Sequence, residues 1–332
     1  MAKIAVESQI RPISIRDQAS SRPTRRAVAC GLGWRVSDVI CTAGPHDRPF
    51  EEQLTDACIA IVMAGSFQYR TSAGHHLMTP GSLVLGNAGQ YFQCGHEHGV
   101  GDRCISFSYT SQYLEGLAAE AGAAGRWAHF TVLRVPPIRE LSPLIARACA
   151  RLRKFESPPP NRRQSAFAAM KPNLPPRSLG RQRDSDADVT AWEEFSVELA
   201  ARAFEFSRQG EPAREILPAA EARVTRIVRM IESHPQMKHA LSTLAQEVNL
   251  SRYHFLRIFR RLTGLTPHQY ILRARLRRAA TRLMLEAARV LDIALDCGFE
   301  DVSNFNHAFR AEFGVSPNSY RASARHEATV AL

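Results

Sequence analysis

The chain has 332 residues, with 43 Lys and Arg against 32 Asp and Glu, for a formal net charge of +11. At roughly 100–200 residues per domain that is one large domain or two ordinary ones, and an apolar fraction of 45% supports packed cores, which excludes wholesale disorder. Seven cysteines, an odd number without a CxxC pair, argue against a secreted disulfide scaffold and for a reducing cytoplasm.

Residues 1–30 are polar and irregular and read as a disordered N-terminus. Arg25-Arg26 before Ala27-Val28-Ala29-Cys30 has the outline of an export signal, but its apolar run is too short and is closed by Trp34 and Arg35. No stretch approaches the roughly 18 apolar residues of a membrane span. The expectation is a cytoplasmic chain with no membrane partner.

Between residues 34 and 109 the pattern is strand-like. Cys58-Ile59-Ala60-Ile61-Val62-Met63 is a short apolar run, and Ser66-Phe67-Gln68-Tyr69-Arg70 alternates. Gly, Asn and Pro turns separate Ser82-Leu83-Val84-Leu85, Tyr91-Phe92-Gln93-Cys94 and Arg103-Cys104-Ile105-Ser106-Phe107, as in an all-β sandwich or barrel. Helical periodicity follows over residues 111–124 and 138–155. Residues 157–184, rich in Pro and Arg, have no periodic face and read as a disordered loop that is either without function or a non-specific polyanion contact. Residues 189–209 resume a helix with Trp192, Phe195, Leu199, Ala203 and Phe206 on one face, so the two helices can pair as a hairpin and a dimer surface. A linker covers 211–221.

The last hundred residues contain a duplication. Phe255, Phe259-Arg260, Gly264, Pro267 and Tyr270 recur 50 residues later as Phe305, Phe309-Arg310, Gly314, Pro317 and Tyr320. Leu244-Ala245 and Leu250 recur at an offset of 49 as Ile293-Ala294 and Phe299. So many shared spacings imply two copies of one supersecondary unit. Each copy reads as helix-turn-helix: a short helix with a small Ala contact, a turn, and a second helix opened by Ser251 or Glu300-Asp301 and closed by Gly264 or Gly314. Residues 267–286, with Arg273, Arg275, Arg277, Arg278 and Arg282 around an apolar stripe, form one long spacer helix. The short link Glu286-Ala287-Ala288-Arg289 is itself helix-friendly.

Two such units on a stiff spacer could set two recognition helices into successive major-groove faces, about 34 Å apart. With Phe255, Ile258 and Phe259, and Phe305, Ala308 and Phe309, committed to the core, the outward residues are Arg252, Tyr253, Leu256, Arg257 and Arg260, then Val302, Ser303, Asn306, His307 and Arg310. Arg257 can donate twice to guanine, Asn306 can pair with adenine, and Tyr253 or Val302 can touch a thymine methyl. Ser251, Thr266 and Ser316, at helix N-termini, suit phosphates, as do Arg252, Arg260 and Arg310.

Residues 222–325 resemble the DNA-binding domain of AraC/XylS-type bacterial transcription regulators. The likeness is carried by Leu244-Ala245-Gln246-Glu247-Val248, Phe255-Leu256-Arg257-Ile258-Phe259, Asp292-Ile293-Ala294-Leu295-Asp296-Cys297-Gly298-Phe299 and Phe309-Arg310-Ala311-Glu312-Phe313-Gly314-Val315-Ser316-Pro317. The resemblance implies that Tyr253, Leu256, Arg257, Val302, Ser303, Asn306 and His307 face bases. It also implies a cupin-like effector-binding or dimerisation domain over residues 31–210, and Thr79-Pro80-Gly81-Ser82 through Asn87-Ala88-Gly89 is similar to the cupin turn-strand-turn signature. The expected fold class is then α+β: a cupin-like β-barrel with a helical hairpin, followed by an all-α domain of two helix-turn-helix units joined by a long helix. The implied partners are double-stranded DNA, RNA polymerase, a small-molecule effector and a second copy of the chain.

One local feature stands apart. In Cys94-Gly95-His96-Glu97-His98 the HxH pair would aim both rings to one side of a strand, making His96, His98 and Cys94 the candidate metal ligands, with His46 or Cys104 nearby. Gly95, Gly99 and Gly101 argue equally for a loop, and a small-molecule pocket stays open. Cys94 and Cys104 are also a candidate redox pair, and His75-His76 reads as an exposed turn. No other cofactor and no catalytic residue is assigned. The leading reading is a transcription factor rather than an enzyme, the alternatives being a metal-dependent cupin enzyme fused to a DNA-binding module and an architectural DNA-binding protein. Charge placement agrees: residues 221–332 carry 17 basic and 10 acidic side chains, whereas residues 1–150 carry 14 and 12.

Overall fold

In the computed structural model, which describes residues 23–96, 101–120, 129–156, 179–207 and 218–330, the N-terminal part is sheet-rich and the C-terminal part helical. Its strands are β1 (Thr24–Gly31), β2 (Trp34–Cys41), β3 (Phe50–Gln53), β4 (Ala57–Gly65), β5 (Phe67–Thr71), β6 (Gly74–Met78), β7 (Leu83–Gly86), β8 (Tyr91–Gly95), β9 (Asp102–Tyr109) and β10 (Arg134–Val135). They form a six-stranded sheet in the order β1-β2-β9-β4-β7-β10 and a four-stranded sheet in the order β3-β8-β5-β6. Among the described strands every pairing is antiparallel.

The continuous apolar run in β4 has a simple cause: it is buried on both faces. Ile59 and Ile61 join Leu83, Leu85, Ile105 and Phe107 in a core shared with helices, while Ala60 and Val62 join Phe67, Tyr69, Met78 and Phe92 between the sheets. The covering helices are α1 (Ser111–Glu120), α2 (Ser142–Glu156) and α3 (Leu179–Ser207). Phe107 stacks on Phe195 at 5.5 Å, and the buried Tyr109 hydroxyl donates to the Ser196 carbonyl at 2.9 Å.

Two expectations change here. β1 lies inside the stretch read as irregular: its outer half is exposed and arginine-rich, so it has no alternation to read, and only pairing with β2 orders it. Arg26 and Arg103 then converge on the buried Asp38, at 3.0 and 2.9 Å. α3 starts at Leu179, so the last six residues of the stretch read as a loop are helical; they precede the packed face and carry no apolar period. Residues 157–178, like 1–22, lie outside the described residues.

The C-terminal helices are α4 (Pro218–Ser233), α5 (Leu241–Gln246), α6 (Arg252–Thr263), α7 (Pro267–Leu285), α8 (Val290–Asp296), α9 (Val302–Phe313) and α10 (Pro317–Val330). α4 begins inside the stretch read as a linker. The first half of α7 packs with α4, α5 and α6 through Leu244, Ala245, Phe255, Phe259 and Tyr270, and its second half packs with α8 and α9 through Leu283, Ile293, Ala294, Phe305 and Phe309. The duplicated turns are superposable in hydrogen bonding. Leu250 N–H donates to Ala245 O at 3.0 Å, and Phe299 N–H to Ala294 O at 3.1 Å. Each turn passes through a left-handed residue, Asn249 (φ 52°) in one copy and Gly298 (φ 92°) in the other. The helix-friendly link after α7 is broken: Glu286 is extended (φ −112°, ψ 146°), with its carboxylate held by Arg282 at 2.9 Å.

The two parts share an interface. Leu77 of β6 enters the first helical core and Ala146 of α2 the second. Arg134, half-buried and with its pKa lowered to about 10 by desolvation, donates to the carbonyls of Leu77 and Leu262. Arg273 donates to Pro137 O at 2.6 Å and pairs with the buried Glu312 at 3.2 Å, which also accepts from Ser142 Oγ.

His75 and His76 lie in β6 and are half-buried rather than in an exposed turn; His75 faces Glu221 at 3.7 Å. Burial, with Arg134 and His75 beside it, pulls His76 down to about 4. An unfolded histidine titrates near 6.5, so the unfolded chain takes up this proton first, and stability is lost as pH falls from about 6.5 towards 4. His76→Gln should remove that share of the acid-side decline. The wild-type minus variant difference in thermal midpoint should then shrink or reverse over this window; a pH-independent difference contradicts the assignment.

Candidate nucleic-acid interface

α6 and α9 are built alike. In α6 the Ser251 hydroxyl accepts from His254 N–H at 3.3 Å; in α9 the Asp301 carboxylate accepts from Asn304 N–H at 2.7 Å. Gly264 (φ 80°) and Gly314 (φ 76°) end them in the left-handed conformation. Phe255 and Phe259, and Phe305 and Phe309, face inward at the four-residue helical spacing. The opposite face is open. Arg252, Tyr253, Arg257 and Arg260 are exposed, as are Ser303, Asn306, His307 and Arg310, while Leu256 and Val302 are half-buried at the margin. Tyr253 is 75% exposed, unusual for a large aromatic ring. His254 and Arg261 are exposed on α6 as well.

The arginines divide into two kinds. Among the described residues, the side chains of Arg252, Arg257, Arg260 and Arg310 have no hydrogen-bond or carboxylate partner. The arginines of α7, denser in sequence, are all engaged. Arg275 donates to the carbonyls of Pro235, Gly298 and Met237 at 2.7, 2.9 and 2.9 Å. Arg277 pairs with Glu232 at 2.6 Å, Arg278 donates to Gln236 at 2.9 Å, and Arg282 bridges Glu286 and Asp296. The Glu232 charge holds Arg277 above its ordinary range against its burial, and burial pushes the Tyr270 hydroxyl, which donates to the same carboxylate, well up.

The three hydroxyls read as phosphate contacts all act as helix caps: Ser251 as above, Thr266 in a reciprocal capping box with Gln269, and Ser316 accepting from Ser319 N–H at 3.2 Å. Thr266 and Ser316 are half-buried. α6 and α9 are held at their C-terminal ends, through the Leu262 carbonyl and Glu312, against the N-terminal part. The candidate base-facing residues lie in the N-terminal halves of the two helices, away from these two contacts.

Of the three candidate metal ligands, two fall among the described residues. His96 is buried at the end of β8, Cys94 is buried between the sheets, and His98 lies outside the described residues. His96 instead meets Cys41 and Asp102, which sequence spacing did not flag. Cys94 and Cys104 carry free thiols that burial pushes well up, unlike the lowered thiol of a redox cysteine.

Comparison with known proteins adds a family. A family model described as "Helix-turn-helix domain" matches residues 244–323. The HTH-type transcriptional regulator ArgR of Pseudomonas aeruginosa is 31% identical over 147 residues, 44% of this chain and 44% of its own length. The probable transcriptional regulator LumQ of Photobacterium leiognathi is 39% identical over 92 residues, 27% of this chain and 37% of its own. The HTH-type transcriptional activator AarP of Providencia stuartii is 33% identical over 100 residues, 30% of this chain and 74% of its own. The match thus spans less than half the length of the first two relatives.

The division of arginines is measurable as stability. Arg275→Ala strips three carbonyls of a charged donor and should cost roughly 2–4 kcal/mol, whereas Arg257→Ala should cost about 0.5 kcal/mol or less. Urea denaturation of both variants, with unchanged slope, checks this; equal losses contradict it.

Proposed function

The chain belongs to the AraC-type family of transcriptional regulators, and on that premise we propose that it is a sequence-specific transcription factor that reads double-stranded DNA with α6 and α9. In this reading α5 and α6, and α8 and α9, are two helix-turn-helix units on the rigid spacer α7. The observation that carries it is the contrast in arginine partners: internal acceptors hold the arginines of α7, while Arg252, Arg257 and Arg260 of α6 face solvent and have none among the described residues. A protein surface keeps a row of uncompensated guanidinium groups beside an exposed tyrosine at little benefit to its own stability, but a phosphate backbone supplies the missing charge.

The two units are not equivalent. The open face of α6 carries Arg252, Arg257 and Arg260, whereas that of α9 offers Ser303, Asn306 and His307 with Arg310 as its cation. The first unit then supplies most of the salt-dependent affinity, and the second reads base edges through neutral donors and acceptors. The two-sheet N-terminal part fits a cupin-like domain that takes an effector or a second copy of the chain, and RNA polymerase is the partner that promoter regulation requires.

Arg257→Ala should relax preference at one base position, at a cost of about 1–3 kcal/mol on the preferred site and little on others. Arg260→Ala should weaken all sequences alike and reduce the salt slope by roughly one ion. Binding of both variants to a selected site and to base-substituted sites across salt concentrations separates them. Uniform loss for both removes the base-reading role of Arg257.

A further inference from the structure

Where the end of β2, the start of β9 and the residue after β8 meet lies a second cluster with its own chemistry. Cys41 ends β2 and Asp102 begins β9, and the two are directly paired across the strands, so their side chains project from the same face. His96 comes from the other sheet, one residue beyond β8. The Cys41 sulfur, a His96 ring nitrogen and an Asp102 carboxylate oxygen all lie within 4.8 Å of one another. His96 Nε2 is 2.6 Å from Asp102 Oδ2, and the Cys104 thiol donates to the other carboxylate oxygen at 3.5 Å.

All three side chains are secluded: Cys41 and His96 are 4% exposed as residues, and the Asp102 side chain is 8% exposed. The backbone is shaped around them. Gly101 is left-handed (φ 66°), and a Cβ there would sit 2.7 Å from the Cys41 carbonyl oxygen; one on Gly65, opposite Asp102 in β4, would sit 2.7 Å from the Asp102 Cα. Neither neighbour can carry a side chain into the space. The Phe67 ring, 6.0 Å from the His96 ring, walls the inner side.

We propose that Cys41, His96 and Asp102 form a binding site for a divalent transition-metal ion of the zinc class. One thiolate, one imidazole and one carboxylate are the donors such an ion takes, and three protein ligands leave a fourth position for water or an exogenous ligand. The thiolate and carboxylate charges equal that of the ion, so the filled site is neutral in a buried setting. Binding releases the thiol proton of Cys41, displaces the proton now held between His96 Nε2 and Asp102 Oδ2, and puts the ion in its place. Cys104 becomes the outer partner that orients the carboxylate. The ion would join the two sheets, with Cys41 and Asp102 from one and His96 from the other. Through Phe67, which pairs with Met78 in β6, it would lie one residue from Leu77 in the first helical core. The proposal is independent of DNA binding.

The test uses the full chain, reduced and stripped with a chelator, then titrated with Co²⁺ and back-titrated with Zn²⁺. One Co²⁺ per chain should bind with a near-ultraviolet thiolate-to-cobalt charge-transfer band, and Zn²⁺ should abolish it. Cys41→Ser should remove the band, and Asp102→Asn should weaken binding by about tenfold or more; Cys30→Ser, which alters an exposed thiol, should leave both unchanged. Zn²⁺ should raise the thermal midpoint of the wild type by clearly more than that of folded Asp102→Asn at the same Zn²⁺ concentration, which guards against a Cys41 variant that misfolds. Absence of the band in the wild type, its persistence in Cys41→Ser, or its loss in Cys30→Ser would overturn the proposal.

Discussion

Helix α7 is the wall that both helical cores share, and the anchoring of its arginines is the constraint on which the rest of the arrangement depends. One end buries Tyr270, Ile271 and Ala274 under α4, α5 and α6; the other buries Leu276, Ala279 and Leu283 under α8 and α9. A helix wrapped by two cores has little surface on which to leave five guanidinium groups in water. Each therefore ends on a specific acceptor: Arg273 on Pro137 O and Glu312, Arg275 on three carbonyls, Arg277 on Glu232, Arg278 on Gln236, and Arg282 on Glu286 and Asp296. These bonds tie the α4–α5 connection, the α8–α9 turn and the N-terminal part to one helix. A half-buried cation without its partner is costly, so the set acts as a specification of geometry more than a source of net stability.

That constraint determines what is left for a ligand. α6 and α9 are clamped at their C-terminal ends, where Leu262 and Glu312 meet Arg134, Arg273 and Ser142. Their outward faces stay open, and on them Arg252, Arg257, Arg260 and Arg310 lack partners among the described residues. Positive charge in this chain thus has two physical uses that composition cannot separate: internal cross-linking by α7 and an outward-facing charge on α6.

Legibility in the sequence follows the range of the interaction. The short-range features could be read directly: the 50-residue repeat, the Ser251 and Thr266 caps, the Gly264 and Gly314 stops, and the inward Phe255, Phe259, Phe305 and Phe309. β1 could not, because its residues are mostly exposed and its order comes from pairing with β2. The partners of the α7 arginines could not either: periodicity shows an amphipathic helix with five cations, but Pro137 is 136 residues from Arg273, and Glu232 is 45 from Arg277. The cluster of Cys41, His96 and Asp102 is the extreme case. A local HxH spacing drew the reading to His96, His98 and Cys94; that Cys41 and Asp102 also meet His96 follows from strand register, which local spacing does not show.

Hydrogen exchange of the full chain, with and without a selected double-stranded DNA site, tests the division of labour between α6 and α7 most directly. DNA should slow exchange in the first turns of α6 and α9 while α7, already secured from within, changes little. Strong new protection confined to α7, with the N-terminal turns of α6 and α9 unaffected, would contradict it.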